Sequence, residues 1–172
     1  MGSLVGGGLV GVIVLIAIVL LIGAMLPSKH VASREIVVRK APSEVYAVIR
    51  DVAAAPSWRS DLKGIEMLEP VDGCIRFREN SSNGIINYEV VEEVPKEKLV
   101  TRIVDRDLGY FGSWTYEFLP AESGTRVRIT ENGEVPNVLF RFMSRFVFGH
   151  TATMDTYLKA LGRKFDEEVT PK

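Results

Sequence analysis

The chain has 172 residues, enough for one ordinary domain and an additional segment. Its 21 basic and 22 acidic residues leave a net charge of −1, so no basic excess points to nucleic acid. A single cysteine, Cys74, excludes an intrachain disulfide and is compatible with a reducing compartment.

The first element in chain order is apolar throughout. From Leu4 to Leu26 there is no charged residue and almost only Val, Ile, Leu, Ala and Gly. At about 1.5 Å per residue the run reaches roughly 34 Å, enough for a hydrocarbon core of about 30 Å. A helix of a small soluble domain is rarely apolar on every face, so the run predicts a transmembrane helix. A cleaved signal peptide would start with a basic region and carry a shorter apolar run. Met1-Gly2-Ser3 has no Lys or Arg, and no A-x-A site follows Ala24. Myristoylation at Gly2 is disfavoured by Gly6, where Ser or Thr is preferred. Nothing basic precedes the run, whereas Lys29, Arg34, Arg39 and Lys40 follow it, which predicts a single-pass protein with its soluble domain in the cytoplasm. Gly7 and Gly11 form a G-x-x-x-G pair, a spacing that would let two copies form a homodimer through this helix. Residues 1–30 are therefore read as an anchor with a short linker, Pro27 to His30, and residues 31–172 as a soluble domain held close to the bilayer.

The soluble part opens with a strand-like run, Ile36-Val37-Val38, within Val31 to Lys40. Pro42 suits a first helical turn and Glu44 the positive end of a helix dipole. Val45, Val48, Ile49 and Val52 then follow at helical spacing. Pro56 is expected to end that helix and start a short second one, with Trp58 and Leu62 facing inward. Turn signals at Asp72-Gly73, Asn83-Gly84, Val94-Pro95, Leu108-Gly109, Ser123-Gly124 and Asn132-Gly133 separate six further strands, Gly64–Leu68, Cys74–Asn80, Ile85–Glu93, Leu99–Asp105, Phe111–Leu119 and Thr125–Glu131. Ile75/Phe77, Trp114/Tyr116/Phe118 and Val127/Ile129 alternate with Arg76/Arg78 and Arg126/Arg128, the pattern of an antiparallel sheet with one wet and one covered face. Asn137 to about Glu168 reads as a helix broken at Gly149-His150, with Met154, Tyr157, Leu158, Leu161 and Phe165 on one stripe.

This order resembles the START-like (SRPBCC) superfamily in its polyketide cyclase/dehydrase and lipid-transport branch. The resembling segments are Arg34–Val38 leading into Ala41–Tyr46, then Pro56-Ser57-Trp58-Arg59-Ser60-Asp61, Trp114–Phe118, Gly124–Val127 and Phe146–His150. The resemblance spans roughly Val31 to Glu168. It implies an α+β helix-grip fold, a curved antiparallel sheet wrapped around a long C-terminal helix, with an apolar cavity between them. Members use that cavity for lipids, hormones or polyketide intermediates, and the family carries no universal catalytic motif. Fold alone does not assign function.

No phosphate loop, dinucleotide fingerprint, zinc-like Cys/His spacing or nucleophile elbow is present, so neither metal nor cofactor is expected. Counting by twos places Glu79 and Glu131 on the apolar face. There they could form an acid/base pair, or sit at a rim and pair with Arg102 or solvent. His150, at the kink before the last helix, could shuttle a proton at the cavity mouth or simply cap the helix. Trp58, Phe77, Tyr88, Arg102, Trp114, Tyr116, Phe140, Phe146, Met154 and Tyr157 are the expected cavity residues, and the same aromatics could equally fill a core. Arg141 and Arg145 share a helical face within a Phe- and Met-rich segment, which reads either as an interfacial helix meeting lipid phosphates or as a gate packed on the sheet. Three functions follow as alternatives: a membrane-tethered module that binds or transports a hydrophobic small molecule, a cyclase or dehydratase acting in the cavity, and a protein-interaction domain with a filled cavity.

Overall fold

Alternating burial along the strands sets the architecture of the soluble part. The computed structural model describes residues 2–172; for residues 2–9 and Phe148 it describes the backbone only. The elements are α1 (Gly2–Met25), β1 (Lys29–Val38), α2 (Pro42–Arg50), a 3-10 turn (Val52–Ser57), β2 (Leu62–Val71), β3 (Cys74–Ser81), β4 (Gly84–Val94), β5 (Lys98–Ile103), β6 (Phe111–Ala121), β7 (Gly124–Glu134), α3 (Val138–Met143), a π-helical turn (Ser144–Phe148) and α4 (Ala152–Lys164). The strands form one sheet in the order β1-β7-β6-β5-β4-β3-β2, every neighbouring pair antiparallel.

Register puts one set of side chains inside. Tyr116 lies opposite Ile129 and Leu99, Trp114 opposite Glu131 and Thr101, and Phe77 opposite Tyr88. Ile36, Val38, Phe118, Val127 and Ile129 are buried on that face, and Val45 and Ile49 of α2 join the core they begin. Against them lies the stripe of α4, with Met154, Leu158 and Leu161 fully buried. Arg34, an inward residue of β1, fastens α4: its Nε donates to Asp155 Oδ1 at 2.9 Å and its Nη2 to Thr151 Oγ1 at 3.1 Å. On the outer face Glu35 takes Arg126 and Arg128, at 3.6 and 2.9 Å.

The element boundaries depart from the sequence reading at several points; β7, for one, continues through Asn132-Gly133 to Glu134, paired with β1 and β6. The linker is shorter than Pro27–His30, because Lys29 and His30 already pair with Glu134 and Gly133 in β1. The last helix does break near Gly149, which adopts φ +74, but the segment before it is a short helix and a π-helical turn, and α4 ends at Lys164. The first short helix ends at Arg50, well before Pro56, because the Asp51 side chain accepts from Ala54 N–H and starts the 3-10 turn.

Part of the predicted anchor, residues 4–9, lies outside the residues whose side chains are described. Among the residues whose side chains are described, which include only residues 10–25 of α1, no helix is long and apolar enough to cross a membrane. The backbone of α1 itself is helical over 24 residues. At its C-terminal end Gly23 is buried against α3, where a Cβ would collide with the Val138 carbonyl oxygen. Gly11, the described member of the expected dimerisation pair, faces open space.

One turn depends on glycine. Gly124 joins β6 to β7 at φ +143, and a Cβ there would overlap the Val38 carbonyl and crowd Arg39 Cα at 2.8 Å. Thr125 beside it donates to the Lys40 carbonyl at 2.6 Å, so this turn also fastens the end of β1. Gly124→Ala is expected to destabilise the domain by more than about 1 kcal/mol, read as a lower urea midpoint at unchanged slope, because the conformation is incompatible with a side chain.

Candidate functional site

The inner face of the sheet and α4 enclose a layer of aromatic rings. Tyr157 of α4 is at its centre, with Trp58 at 5.4 Å, Tyr116 at 5.6 Å and Trp114 at 5.9 Å between ring centroids. Phe77 and Tyr88 stack at 5.4 Å beside them. Trp58 arrives from the end of the 3-10 turn rather than from a strand. Its indole Nε1–H is buried and has no hydrogen-bond partner among the described residues.

Two polar centres sit in this interior. The first is built on Arg59, which is 7 % exposed and lies 4.9 Å from the Tyr157 ring centroid. Its guanidinium donates to Glu79 at 2.8 and 3.4 Å and to Asp61 at 2.7 and 3.3 Å. Burial pushes the Glu79 carboxyl up, and Arg59 only partly offsets it. Burial alone would lower Arg59, yet the Asp61 and Glu79 carboxylates together hold it above its ordinary value. The paired short contacts favour a charged Arg59 flanked by carboxylates, with Glu79 the group that takes up a proton on acidification. Burial also pushes Tyr88, Tyr116 and Tyr157 upward, so all three are neutral near pH 7 and serve as hydrogen-bonding groups rather than bases.

The second centre lies at the other end of the sheet. Glu131 of β7 accepts from Trp114 Nε1 at 2.7 Å and contacts His30 Nε2 at 2.9 Å. The His30 ring stacks on His150 at 3.9 Å between centroids, bringing together the chain's two histidines from opposite ends of the domain. Burial, then His30, lowers His150, with Arg145 adding to the effect and Glu131 opposing it.

The predicted site residues thus separate into groups. Trp58, Phe77, Tyr88, Trp114, Tyr116, Met154 and Tyr157 lie between sheet and α4. Glu79 and Glu131 both point inward but do not form a pair: β4, β5 and β6 stand between their strands. Four strand steps are about 19 Å along the sheet at roughly 4.8 Å each, too far for one acid and one base on a single bond. Arg102 belongs to the outer face, where it meets Glu89 at 2.9 Å, because its position alternates with inward Thr101. Phe140 and Phe146 lie on α3 and the π-helical turn and are exposed, since the kink at Gly149 turns that segment away from the sheet. Arg59, Asp61, Thr101 and His30 are the interior polar residues that sequence reasoning missed. A turn residue such as Arg59 has no periodicity to reveal its direction, and His30 was assigned to the linker.

A concavity of about 900 Å³ is on the outer face beside Lys29, Val31, Arg102, Phe111 and Asn132. A second, of about 450 Å³, lies between α2 and Met67. Neither lies between sheet and α4, where the rings are in mutual contact. Among the described residues no group of three or more His, Cys, Asp or Glu side chains is placed to hold a metal ion.

Arg59→Met leaves Glu79 and Asp61 without their cation, so it should lower the unfolding free energy by about 3–5 kcal/mol. Pairing it with Glu79→Leu should recover part of that loss in a urea double-mutant cycle; a double-variant loss equal to the sum of the two single losses would show that the pair is not coupled. His150 titrates lower when folded than when unfolded, so its contribution holds above the ordinary imidazole pKa and falls as pH drops through it. Wild-type stability should accordingly decline between about pH 7 and pH 5 with a steeper slope than His150→Asn shows, followed by thermal unfolding across that range.

The sequence matches the family model described as Polyketide cyclase / dehydrase and lipid transport over residues 29–166. No curated protein matches the sequence. Similar solved structures include the di-domain ARO/CYC StfQ from the steffimycin biosynthetic pathway, with TM-score 0.65, 14% identity, and coverage of 80% of this chain and 51% of that one. The chain therefore spans about half the length of that di-domain protein. A START superfamily protein from Mycobacterium smegmatis aligns at TM-score 0.61 and 16% identity, covering 80% of this chain and 97% of that one. The Zhui aromatase/cyclase from Streptomyces sp. R1128 aligns at TM-score 0.58 and 13% identity, with 80% and 92% covered. At these identities the structures share the fold. With a seven-stranded antiparallel sheet closed on a C-terminal helix and a family match over most of its length, this chain belongs to the polyketide cyclase/dehydrase and lipid transport family.

Proposed function

We propose that the chain is a membrane-tethered module that binds a hydrophobic small molecule bearing a polar group, between the sheet and α4, and exchanges it with the adjacent leaflet. The observation that carries this reading is the Arg59–Glu79–Asp61 cluster buried among aromatic rings beside the unpartnered Trp58 Nε1. A core built only for stability gains little from buried charges, because their desolvation offsets their attraction. Charged groups held in an aromatic interior suit a ligand that is mostly apolar with one hydrogen-bonding end. The family description, which names polyketide cyclase and lipid transport, and a neighbour named as an aromatase/cyclase agree in kind with this reading.

The tether is α1. Its 24 residues rise about 36 Å at 1.5 Å each, enough for a hydrocarbon core of about 30 Å. Lys29, Arg34, Arg39 and Lys40 follow it closely, which supports a cytoplasmic domain. Tethering raises the local concentration of the domain at the lipid surface, so weak ligand affinity suffices.

A second reading, a protein-interaction domain whose interior is filled by its own side chains, is favoured by the direct contacts among Trp58, Trp114, Tyr116 and Tyr157. The cyclase or dehydratase alternative has less support, because the two inward carboxylates stand four strands apart.

Native mass spectrometry of the detergent-extracted full chain, followed by lipid extraction, separates the first two readings. The expected result is a stoichiometric apolar passenger that Trp58→Ala or Arg59→Met releases. An empty wild-type protein with uniformly slow amide exchange across β3 to β7 would favour the filled interior.

A further inference from the structure

The end of α1 is joined to α3 by more than chain continuity. Gly23 lies against the Val138 carbonyl, so the two helices touch at backbone distance. Arg141 of α3 completes the joint. Its Nη1 donates to the Leu26 carbonyl at 3.0 Å, its Nε to Val135 at 2.9 Å and its Nη2 to Pro136 at 2.7 Å. Val135 N–H donates to the Ser28 carbonyl at 2.7 Å from the same loop. The guanidinium is thus directed at main-chain carbonyls, not at the lipid phosphates the sequence reading allowed for it.

What this joint presents is apolar. No residue of α3 is buried. Leu139 is 45 % exposed, Phe140 48 %, Phe146 59 % and Val147 58 %. Four large apolar side chains exposed on so short a segment are the kind of surface that marks an interaction site. The patch continues the apolar surface of α1, whose last described residue, Met25, is itself exposed. Arg145, exposed at its border, has no ion pair among the described residues, which places a cation where headgroup phosphates would lie.

We infer that the segment from α3 through the π-helical turn, residues 138–148, is a second membrane contact that lies in the interface of the same bilayer leaflet, held there by the Gly23–Val138 and Arg141–Leu26 joint. This rests on the reading of α1 as a bilayer-spanning tether. Two contacts fixed to each other set the tilt of the domain, whereas a single helix on a loose linker would leave it free to swivel. His150, directly after the π-helical turn, and its partner His30 are thereby held on the bilayer side of the domain.

The test uses the full chain in phosphatidylcholine–phosphatidylglycerol vesicles, with Cys74→Ser and one cysteine carrying an environment-sensitive fluorophore. Ile16→Cys reports on α1, and Phe146→Cys or Val147→Cys reports on the proposed contact. The expected result is blue-shifted emission at both places, quenched at 16 by deep doxyl lipids and at 146 or 147 by shallow ones, with iodide ineffective at each. Arg141→Ala should abolish lipid quenching at 146 while leaving it at 16. A water-exposed label at 146 and 147 with a lipid-quenched label at 16 overturns the second contact and leaves the tether standing. An unquenched label at 16 overturns the tether reading and this inference with it. Labels at 146 shielded from both quenchers, with energy transfer between copies, would assign the patch to a second copy and likewise overturn the membrane contact.

Discussion

Everything else in the domain depends on one helical stripe meeting one face of a curved sheet. Met154, Tyr157, Leu158 and Leu161 of α4 point the same way because they repeat at helical spacing, and the alternate residues of β1 and β3 to β7 point back at them. A register slip of a single residue in any central strand would exchange its inward aromatics for outward arginines and glutamates. The ion pairs of Arg34 with Asp155 and the turn at Gly124 are fasteners of that arrangement: one ties the start of α4 to β1, the other ties the end of β1 to the β6–β7 hairpin.

The same geometry explains where polarity enters the interior. Glu79 and Glu131 occupy inward positions by strand parity, so each needs a local partner. Arg59 reaches one from the turn before β2, and His30 and Trp114 meet the other. The two centres are held apart by three intervening strands, and each has its own neighbours. That separation argues for two distinct tasks rather than for one acid/base dyad. The Arg59 centre is embedded in rings. The imidazole pair lies beside the kink at Gly149.

At the edge next to α1 the chain makes a compact joint of glycine, arginine and main-chain carbonyls. Arg141 satisfies the Leu26 carbonyl at the end of α1, together with two carbonyls of the loop before α3. Such an end would otherwise leave acceptors to water. With β1 beginning at Lys29, little freedom separates α1 from the sheet.

The apolar run of α1, five of the six turn signals, the alternation of strands β3 to β7 and the stripe of α4 could all be read from the sequence; Asn132-Gly133 lies within β7 instead. Each is a local regularity, decided by residues within a few positions of one another. Tertiary packing alone decided the rest. Arg59 lies in a turn without period, and its place beside Glu79 depends on how the 3-10 turn crosses β2 and β3. His30 and His150 are 120 positions apart and meet only because β1 pairs with β7 and the chain kinks at Gly149. Phe140 and Phe146 have the composition of core residues, yet the kink turns them outward. Arg141 has the spacing of a surface cation, yet three carbonyls face it. Side-chain direction at a turn or kink follows from contacts made by distant segments, and no pattern along the chain encodes it.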